Sequence, residues 1–443
     1  MEEAVSFLYR SFRRALPFVK GRRDRERRRP SHTRLLLDRL GSPDREMEAV
    51  VVTGSKGKGS TSAFLASFLQ AAGFRTGLFT GPHLVFFEER IRVDGRAIPE
   101  KDFIRLSRAV EPEARRIEAA LPPGEYLGPV GLLLALALLW FRERGVEVAV
   151  LECGRGGRHD EVPVARHRWA VITPVWEEHR EELGPSLREI AREKAGVITP
   201  EVEEVYSALQ RKEVLEELAA EARERPLFVL GRDFSLRLRD RGLEGVSVWV
   251  SFNDLEWGLE SLLPGRHQGR NLALALFAAR RIAERLGRPL EEERARSAAR
   301  RVRFPGRCAI LELEPPVLLD GAVHRRSARE VVRLLKRFPP PRGAVVAVPE
   351  DKDWRGVVSV LGPEVDFLCF TRPGRNPFLR FPDRAPEWAR EKGFLAWEEE
   401  RVETAAKAAR ERLGRKGVLA VVGTQSLVGE ALALWGEDPR NLW

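Results

Sequence analysis

A short glycine-rich stretch carries the residue types and spacing with the clearest chemistry in this sequence. It reads GSKGKGST, follows an apolar run, and precedes a pattern that predicts a helix opening near Lys58. Glycines allow backbone amides to approach a polyphosphate closely, the lysine supplies a point charge, and a helix amino terminus adds partial positive charge. The pattern predicts a loop that grips the phosphates of a nucleotide, with ATP as the expected ligand. The predicted loop residues are Gly54, Ser55, Lys56, Gly57, Lys58, Gly59, Ser60 and Thr61.

The elements that must position this loop are indicated by eight short β-rich runs with helical stretches between them. The runs are residues 49–53, 75–79, 146–151, 169–173, 317–319, 344–348, 367–371 and 418–422. Such alternation predicts parallel sheets covered on both faces. A chain of 443 residues favours two domains. We expect an α/β fold, with a P-loop-type, mostly parallel-sheet ATPase domain followed by a smaller, Rossmann-like α/β carboxy-terminal domain.

Composition favours a reducing compartment. The three cysteines are far apart and show no CxxC spacing, which argues against a disulfide framework and a structural zinc site. The longest apolar run, residues 130–141, is shorter than the roughly 20 residues that span a bilayer. The leading segment does not resemble a signal peptide. We therefore expect a cytoplasmic protein with no membrane partner.

The formal charge of +10 is concentrated at the amino terminus, where Met1 to Pro30 contain ten Lys/Arg against four Asp/Glu. We interpret residues 1–33 as a solvated, partly frayed basic arm. Contact of the arm with nucleic acid is possible in principle but is the less favoured reading. A compositional break near residues 301–307 places the domain boundary, which gives an ATP-binding domain over 34–303 and a carboxy-terminal domain over 304–443.

Several motifs in a fixed order resemble the folylpolyglutamate synthase and dihydrofolate synthase family of the Mur ligases. Beside the phosphate loop they are FTGPHLVFFEERIRVDG at 79–95, LECGRGGRHD at 151–160, EIAREKAGVI at 189–198, GRHQGRN at 265–271, FPGR at 304–307, DGAV at 320–323, DKDWRG at 351–356 and GTQSLVGE at 423–430. The resemblance implies an ATP-dependent ligase that phosphorylates a folate-like carboxylate and couples the acyl phosphate to the amino group of an amino acid, usually glutamate. It also implies Mg²⁺ as a cofactor.

The resemblance assigns ATP contacts to Lys58, with Ser60 and Thr61 completing the loop. It extends them to Asn271 and Arg307, and to Asp320, which begins the carboxy-domain nucleotide motif. These three residues have structural alternatives: Arg307 could be an exposed side chain, and Asn271 or Asp320 could cap a helix.

Two further residues are assigned to catalysis and metal binding. In PSLREIAREKAG, Ser186 and Glu189 form a predicted capping box, and helical spacing puts Lys194 on the apolar face. The matching lysine of the family is carbamylated and supports magnesium, although a side chain that reaches back to the surface is an alternative. His179 matches the family's magnesium-binding histidine, with Glu178 where aspartate is usual.

The sequence departs from the family at positions that would hold the metal. Gly81 stands where the motif has serine, and counting along the chain puts the family's metal-binding glutamate at Gly131. Lys56 could replace part of a missing ion's charge or could face solvent. Glu88, Glu89 or Glu178 could rebuild a metal shell.

These departures leave two main hypotheses. The leading one is a ligase that adds glutamate to a folate or a related carboxylate. The alternative is an impaired or repurposed ATP-binding paralogue with a regulatory or scaffold role, or with a different substrate.

Overall fold

The computed structural model describes residues 1–375 and 379–443. Its helices are α1 (Glu2–Val19), α2 (Asp24–Arg27), α3 (Pro30–Arg39), α4 (Lys58–Ala71), α5 (Glu100–Ala120), α6 (Pro129–Glu143), α7 (Arg180–Leu183), α8 (Leu187–Ala195), α9 (Lys212–Ala222), α10 (Arg266–Arg285), α11 (Glu292–Arg301), α12 (Arg325–Leu335), α13 (Trp354–Leu361), α14 (Ala385–Glu391), α15 (Val402–Leu413) and α16 (Gln425–Leu434). Its strands are β1 (Glu48–Thr53), β2 (Thr76–Phe79), β3 (Ile91–Val93), β4 (Arg96–Ala97), β5 (Val148–Glu152), β6 (Trp169–Ile172), β7 (Glu204–Ser207), β8 (Leu227–Val229), β9 (Ser235–Asp240), β10 (Val246–Phe252), β11 (Leu255–Ser261), β12 (Ala309–Leu313), β13 (Pro316–Asp320), β14 (Arg342–Ala347), β15 (Phe367–Thr371), β16 (Ala396–Glu399) and β17 (Val418–Gly423).

An eight-stranded, mostly parallel sheet forms the first domain, in the order β4-β3-β2-β5-β1-β6-β7-β8. Strand β1 pairs in parallel with β5 on one side and β6 on the other. Its valines, Val50 to Val52, are fully buried because α4 and α10 cover one face while α5 and α6 cover the other. The carboxyl ends of β1, β5 and β6 therefore meet at one edge of the sheet, where the glycine-rich loop begins.

A small antiparallel sheet, β11-β10-β9, extends this domain beside α10 and α11. The six-stranded sheet of the second domain runs β12-β13-β17-β14-β15-β16. It is parallel except for the edge pair of β12 with β13. Separate apolar clusters cover its two faces.

The amino-terminal segment is folded, which corrects the expectation of a solvated, frayed arm. Helix α1 packs Phe7 and Leu8 into the core of the first domain, and its Ala15 joins a small separate apolar cluster with Tyr126. On the same helix, Arg10 donates hydrogen bonds to Glu111 and Glu118 of α5. The net charge of the segment did not reveal this packing, because most of the basic residues lie on the opposite face of the helix or in ion pairs.

The predicted α/β fold class is confirmed by the two sheets and by the comparisons reported below. The predicted boundary at 303/304 falls between the end of α11 and the start of β12. No helix within 1–375 and 379–443 combines the length and the apolar character needed to cross a membrane.

Candidate nucleotide-binding site

The glycine-rich loop connects β1 to α4 and depends on two glycines with positive φ. Gly54 has φ +138° and Gly57 has φ +89°. A Cβ added to Gly54 would lie 2.0 Å from Thr173 Oγ1, and one added to Gly57 would lie 2.4 Å from Asn271 Oδ1. Only glycine permits this backbone and this close approach. Gly57 caps α4, so the amino terminus of that helix opens directly from the loop.

Two lysines hold the carbonyl of Gly54. Lys58 Nζ donates a hydrogen bond to Gly54 O at 3.1 Å, and Lys194 Nζ donates another at 2.8 Å. The predicted capping box of Ser186 and Glu189 is confirmed, and Lys194 lies fully buried on the apolar face of α8. Lys194 therefore reaches the phosphate loop from a separate helix.

The hydroxyl groups of the loop divide into two roles. Ser55 Oγ donates to Trp176 O at 3.2 Å and accepts from Trp176 N at 3.1 Å, so it fastens the loop to the segment after β6. Ser60 and Thr61 are buried in the first turn of α4, and Thr61 Oγ1 has no hydrogen-bond partner in the part of the chain that the structure describes. A buried hydroxyl without a partner is costly unless a ligand satisfies it.

Lys56 is the exposed lysine of the loop. Burial by surrounding protein atoms together with the charge of Arg307 lowers the pKa of Lys56 to about 8. Lys58 and Lys352 lower this pKa further, while Glu178 opposes them. Burial lowers the pKa of His324, which precedes α12, and the charges of Lys56 and Lys352 lower it further.

Asn271 and Asp320 lie on opposite sides of the cleft between the domains. Asn271 Nδ2 donates to Gln268 Oε1 at 3.1 Å, which turns its carbonyl oxygen towards Gly57. Asp320 Oδ2 accepts hydrogen bonds from the backbone N–H of Cys308 at 2.8 Å and from its thiol at 3.3 Å. Asp320 thus fixes the backbone that follows Arg307, and burial raises the pKa of its carboxyl group.

Glu152 is a site residue that the sequence analysis missed. It ends β5 and accepts a hydrogen bond from Gly81 N at 3.1 Å. Burial raises the pKa of Glu152 to about 7, against the opposing effect of Lys58. Its position at the carboxyl end of a buried strand, directly beside the strand that carries the loop, is the signal that could have identified it.

The narrow cleft between the domains ends at the phosphate loop. It encloses a cavity of about 50 Å³ whose lining includes Gly59, Glu152, Phe304 and Arg307, with Gln425 from the second domain. A molecule on the loop would therefore be contacted by both domains and by the linker.

His179 and Lys194, the residues expected to hold magnesium, both lower the pKa of Glu178 but have different nearest carboxylates. The Nδ1 atom of His179 lies 3.7 Å from Glu182 Oε2, beside a different carboxylate from the one that faces Lys194. Glu89, one of the candidates for a rebuilt shell, accepts hydrogen bonds from three backbone amides. Over residues 1–375 and 379–443, no three His, Cys, Asp or Glu side chains form a group that could hold a metal ion. Mg²⁺ bound with a nucleotide usually keeps several waters and takes only one or two protein carboxylates beside the phosphates. The buried carboxylate of Glu152, which lies beside Gly59 of the loop, fits this smaller ligand set.

Lys194 has the contacts of an ammonium group. Glu178 Oε1 lies 3.0 Å from Nζ and Gly54 O lies 2.8 Å from it, so two N–H donors are needed. A carbamate nitrogen carries one hydrogen and would add negative charge beside Glu178. The carbamate of Lys194 stays a prediction.

The placement of a lost metal ligand at Gly131 is corrected by the structure. Gly131 lies in the first turn of α6, and an added Cβ would be 2.0 Å from Thr33 Oγ1 of α3, so this position faces another helix. Gly81 does lie at the site, since its N–H contacts Glu152. The glutamate that lies next to Gly81 is Glu152 itself and not a residue earlier in the chain.

Comparisons with known proteins agree with this architecture. The chain is 32% identical to a dihydrofolate synthase/folylpolyglutamate synthase of Bacillus subtilis, over 76% of this chain and 80% of that protein. It is 31% identical to the protein of the same description from Mycobacterium tuberculosis, over 93% of this chain and 91% of that protein. No family model matches the chain.

A solved structure shares the whole architecture. The crystal structure of Mycobacterium tuberculosis folylpolyglutamate synthase complexed with ADP and AMPPCP superposes with a TM-score of 0.85 at 27% identity. The match covers 94% of this chain and 97% of the crystallised one, so both domains and their connection are included.

Proposed function

Since the chain belongs to the folylpolyglutamate synthase/dihydrofolate synthase family, we propose that it is an ATP-dependent ligase that joins glutamate to the carboxylate of a folate or a related acceptor. The observation that carries the proposal is the loop from Gly54 to Thr61, with its glycine geometry and with Lys58 at the start of α4. Asn271 and Arg307 stand where they can contact a nucleotide seated on that loop.

The proposed reaction has two steps. An oxygen of the acceptor carboxylate attacks the γ-phosphorus of ATP, the bond from that phosphorus to the ADP oxygen breaks, and an acyl phosphate forms. The amino nitrogen of glutamate then attacks the acyl carbon, inorganic phosphate leaves, and the nitrogen loses a proton. Both steps depend on positioning and on offsetting phosphate charge, which the loop amides, Lys58 and Arg307 can supply.

We propose that Glu152 accepts the proton that the amino group of the incoming glutamate releases. Its carboxylate lies beside the loop, lines the cleft, and has a pKa of about 7, so both of its protonation states are populated near neutral pH. A base poised near the working pH suits the removal of a proton from the ammonium group of glutamate, which gives the neutral amine whose nitrogen can then attack.

Magnesium enters the proposal only as the usual companion of ATP. Bound to the phosphates it would offset part of their charge. The carboxylate of Glu152, beside the loop, would be placed to contact such an ion, and we propose no step that depends on it.

The direct test is incubation with ATP, Mg²⁺, glutamate and a panel of pteroates and folates. We expect release of ADP and phosphate together with an acceptor whose mass has increased by one glutamyl unit. Lys58→Ala should abolish both signals, while Lys407→Gln, an exposed lysine of α15, should leave them intact. Nucleotide binding without any product in the wild-type chain would contradict the ligase and favour the impaired paralogue.

A further inference from the structure

The chain crosses between the two domains twice. The first crossing is the linker after α11, where Val302 lies in an apolar cluster of the first domain and Cys308 in one of the second. The second crossing follows α16. Trp435 still packs against the second domain, whereas the carbonyl of Pro439 already accepts a hydrogen bond from the first. We call residues 438–443 the strap.

The backbone of the strap pairs with an edge of the eight-stranded sheet. Two N–H···O hydrogen bonds, of 2.9 and 3.0 Å, connect residues 95–97 to residues 440–442. Between these bonds, Arg96 and Asn441 face each other as an antiparallel pair without a hydrogen bond of their own. Because β4 is the outermost strand in the order of that sheet, the strap covers its edge.

Side chains anchor the strap on the same domain. Leu442 is only 2% exposed and belongs to an apolar cluster of the first domain. The indole Nε1 of Trp443 donates a hydrogen bond to Gln70 Oε1 of α4 at 2.6 Å. The buried guanidinium of Arg92 donates another to Pro439 O at 2.9 Å. The strap is therefore packed into the first domain although the helix before it belongs to the second.

The two crossings contact each other at the cleft. The N–H of Arg303, in the linker, donates a hydrogen bond to the carbonyl of Leu442 at 2.5 Å. Pro439 and Leu442 also line the cavity of about 50 Å³ that reaches Glu152 and Arg307. Two adjacent crossings permit rotation of the second domain about an axis through both, whereas sliding or separation of the domains would break the contacts of the strap.

We propose that the strap stays docked on the first domain during turnover and, together with the linker, confines the second domain to one hinge rotation. Pro439 and Leu442 then remain a fixed wall of the cleft while the second domain opens and closes over the phosphate loop. The kinetic consequence of this inference rests on the proposed ligase, because a site built from two domains loses rate when their relative position is poorly fixed.

The first test locks the strap in place. Arg96→Cys combined with Asn441→Cys puts two thiols on an exposed pair whose expected Cα separation of about 4.5 Å suits a disulfide. The native cysteines Cys153, Cys308 and Cys369 are buried, so oxidation should join only the introduced pair. We expect the oxidised chain to keep at least about half of the kcat of its reduced form. A larger loss that dithiothreitol reverses would overturn the inference, and so would failure of the two thiols to join.

The second test releases the strap. Leu442→Ala combined with Trp443→Ala removes its apolar anchors, and Leu434→Ala, at an exposed leucine of α16, is the matched control. We expect kcat/KM to fall about tenfold or more in the released chain, while the dissociation constant of an ATP analogue changes by less than about threefold because the phosphate loop is untouched. Small-angle X-ray scattering should show a larger radius of gyration for the released chain than for the wild type and the control.

Scattering decides about the strap independently of catalysis. An unchanged radius of gyration together with an unchanged kcat/KM in the released chain would overturn the inference. A wild-type chain that modifies no acceptor would instead overturn the proposed ligase, and the scattering comparison would still hold. Circular dichroism of each variant separates release of the strap from unfolding, and the disulfide test remains decisive if the released chain does not fold.

Discussion

Two charge-rich regions of this molecule are built in opposite ways. The first, which we call the Asp24 network, joins Asp24, Arg28, Arg155, Asp160 and Glu161 where the amino-terminal segment meets the loop after β5. Arg155 donates to both oxygens of Asp24 at 2.7 and 2.9 Å, and Arg28 lies 3.4 Å from Asp160 and 3.5 Å from Glu161. The second region is the phosphate loop, where Lys58 and the buried Lys194 both donate to the Gly54 carbonyl and Glu178 pairs with Lys194.

The difference shows how charge can serve either stability or binding. In the Asp24 network each charge has an opposite partner within the protein, so the network fixes one arrangement and needs no ligand. At the loop, Lys58 forms no ion pair among residues 1–375 and 379–443, and the backbone holds a shape that only glycine permits. We therefore expect mutations in the first region to change stability and mutations in the second to change nucleotide binding.

The largest expected effect on stability is that of Asp24→Ala. It removes the buried carboxylate that Arg28 and Arg155 share, which their remaining partners Asp160, Glu161 and Glu182 do not replace, and should lower the free energy of unfolding by about 3–5 kcal/mol, measured by urea denaturation. Burial raises the pKa of Asp24, but Arg28 and Arg155 outweigh it, so the pKa lies below its ordinary value. The difference from wild type should thus be complete above the ordinary pKa and shrink as the pH falls below it.

The control for this prediction is Asp38→Ala, which breaks an ion pair with Arg34 at a half-exposed carboxylate. It should cost less than about 1 kcal/mol. Equal effects of the two changes would remove the distinction between a buried and a surface ion pair at this end of the molecule.

Lys58→Ala tests the other side of the comparison. Loss of the ammonium at the start of α4 should reduce kcat/KM for ATP by about 10²–10³, since it removes charge stabilisation at the phosphates. The free energy of unfolding should change little, because Lys58 contacts only the Gly54 carbonyl in the free protein. A large loss of stability with unchanged kinetics would reverse the roles assigned to the two regions.

Glu152→Gln removes the proposed base while it keeps the hydrogen bond of this side chain to Gly81. The amide keeps an oxygen for the Gly81 N–H but cannot accept a proton, so the rate at pH 8 should fall about a hundredfold. In the wild type the carboxylate forms as the pH rises through about 7, and the rate should rise with it. This rise should be absent from the variant's pH–rate profile; its survival would assign the proton transfer to another group.

The smallest effects should come from the two glycines at which metal ligands were expected. Gly131→Ala places a Cβ against Thr33 and should cost about 1–3 kcal/mol by overpacking. Gly81→Ser has open space, with the nearest atom 3.9 Å from an added Cβ, and should be tolerated. A Gly81→Ser chain that binds Mg²⁺ in titrations without nucleotide would show that Glu152 and a single hydroxyl suffice for a metal site.

Much of the fold could be predicted because its signals are local. The apolar runs of β1, β6 and β15 are continuous and buried on both faces, so composition alone identifies them. Strands β9 and β11 escaped prediction because they are half-exposed and alternate apolar with polar residues, so they contain no continuous apolar run. Helix α1 was misjudged because charge was counted without regard to the face on which it lies.

The sequence by itself determined the phosphate loop, since glycine spacing and the neighbouring strand and helix are encoded within about twenty residues. Only the tertiary structure decided which charged groups meet. Glu178 and Lys194 are separated by 16 positions, and Asp24 and Arg155 by 131, yet each pair is in contact. Sheet order and helix packing bring such residues together, and no periodicity in the chain specifies the distance between two side chains on different elements.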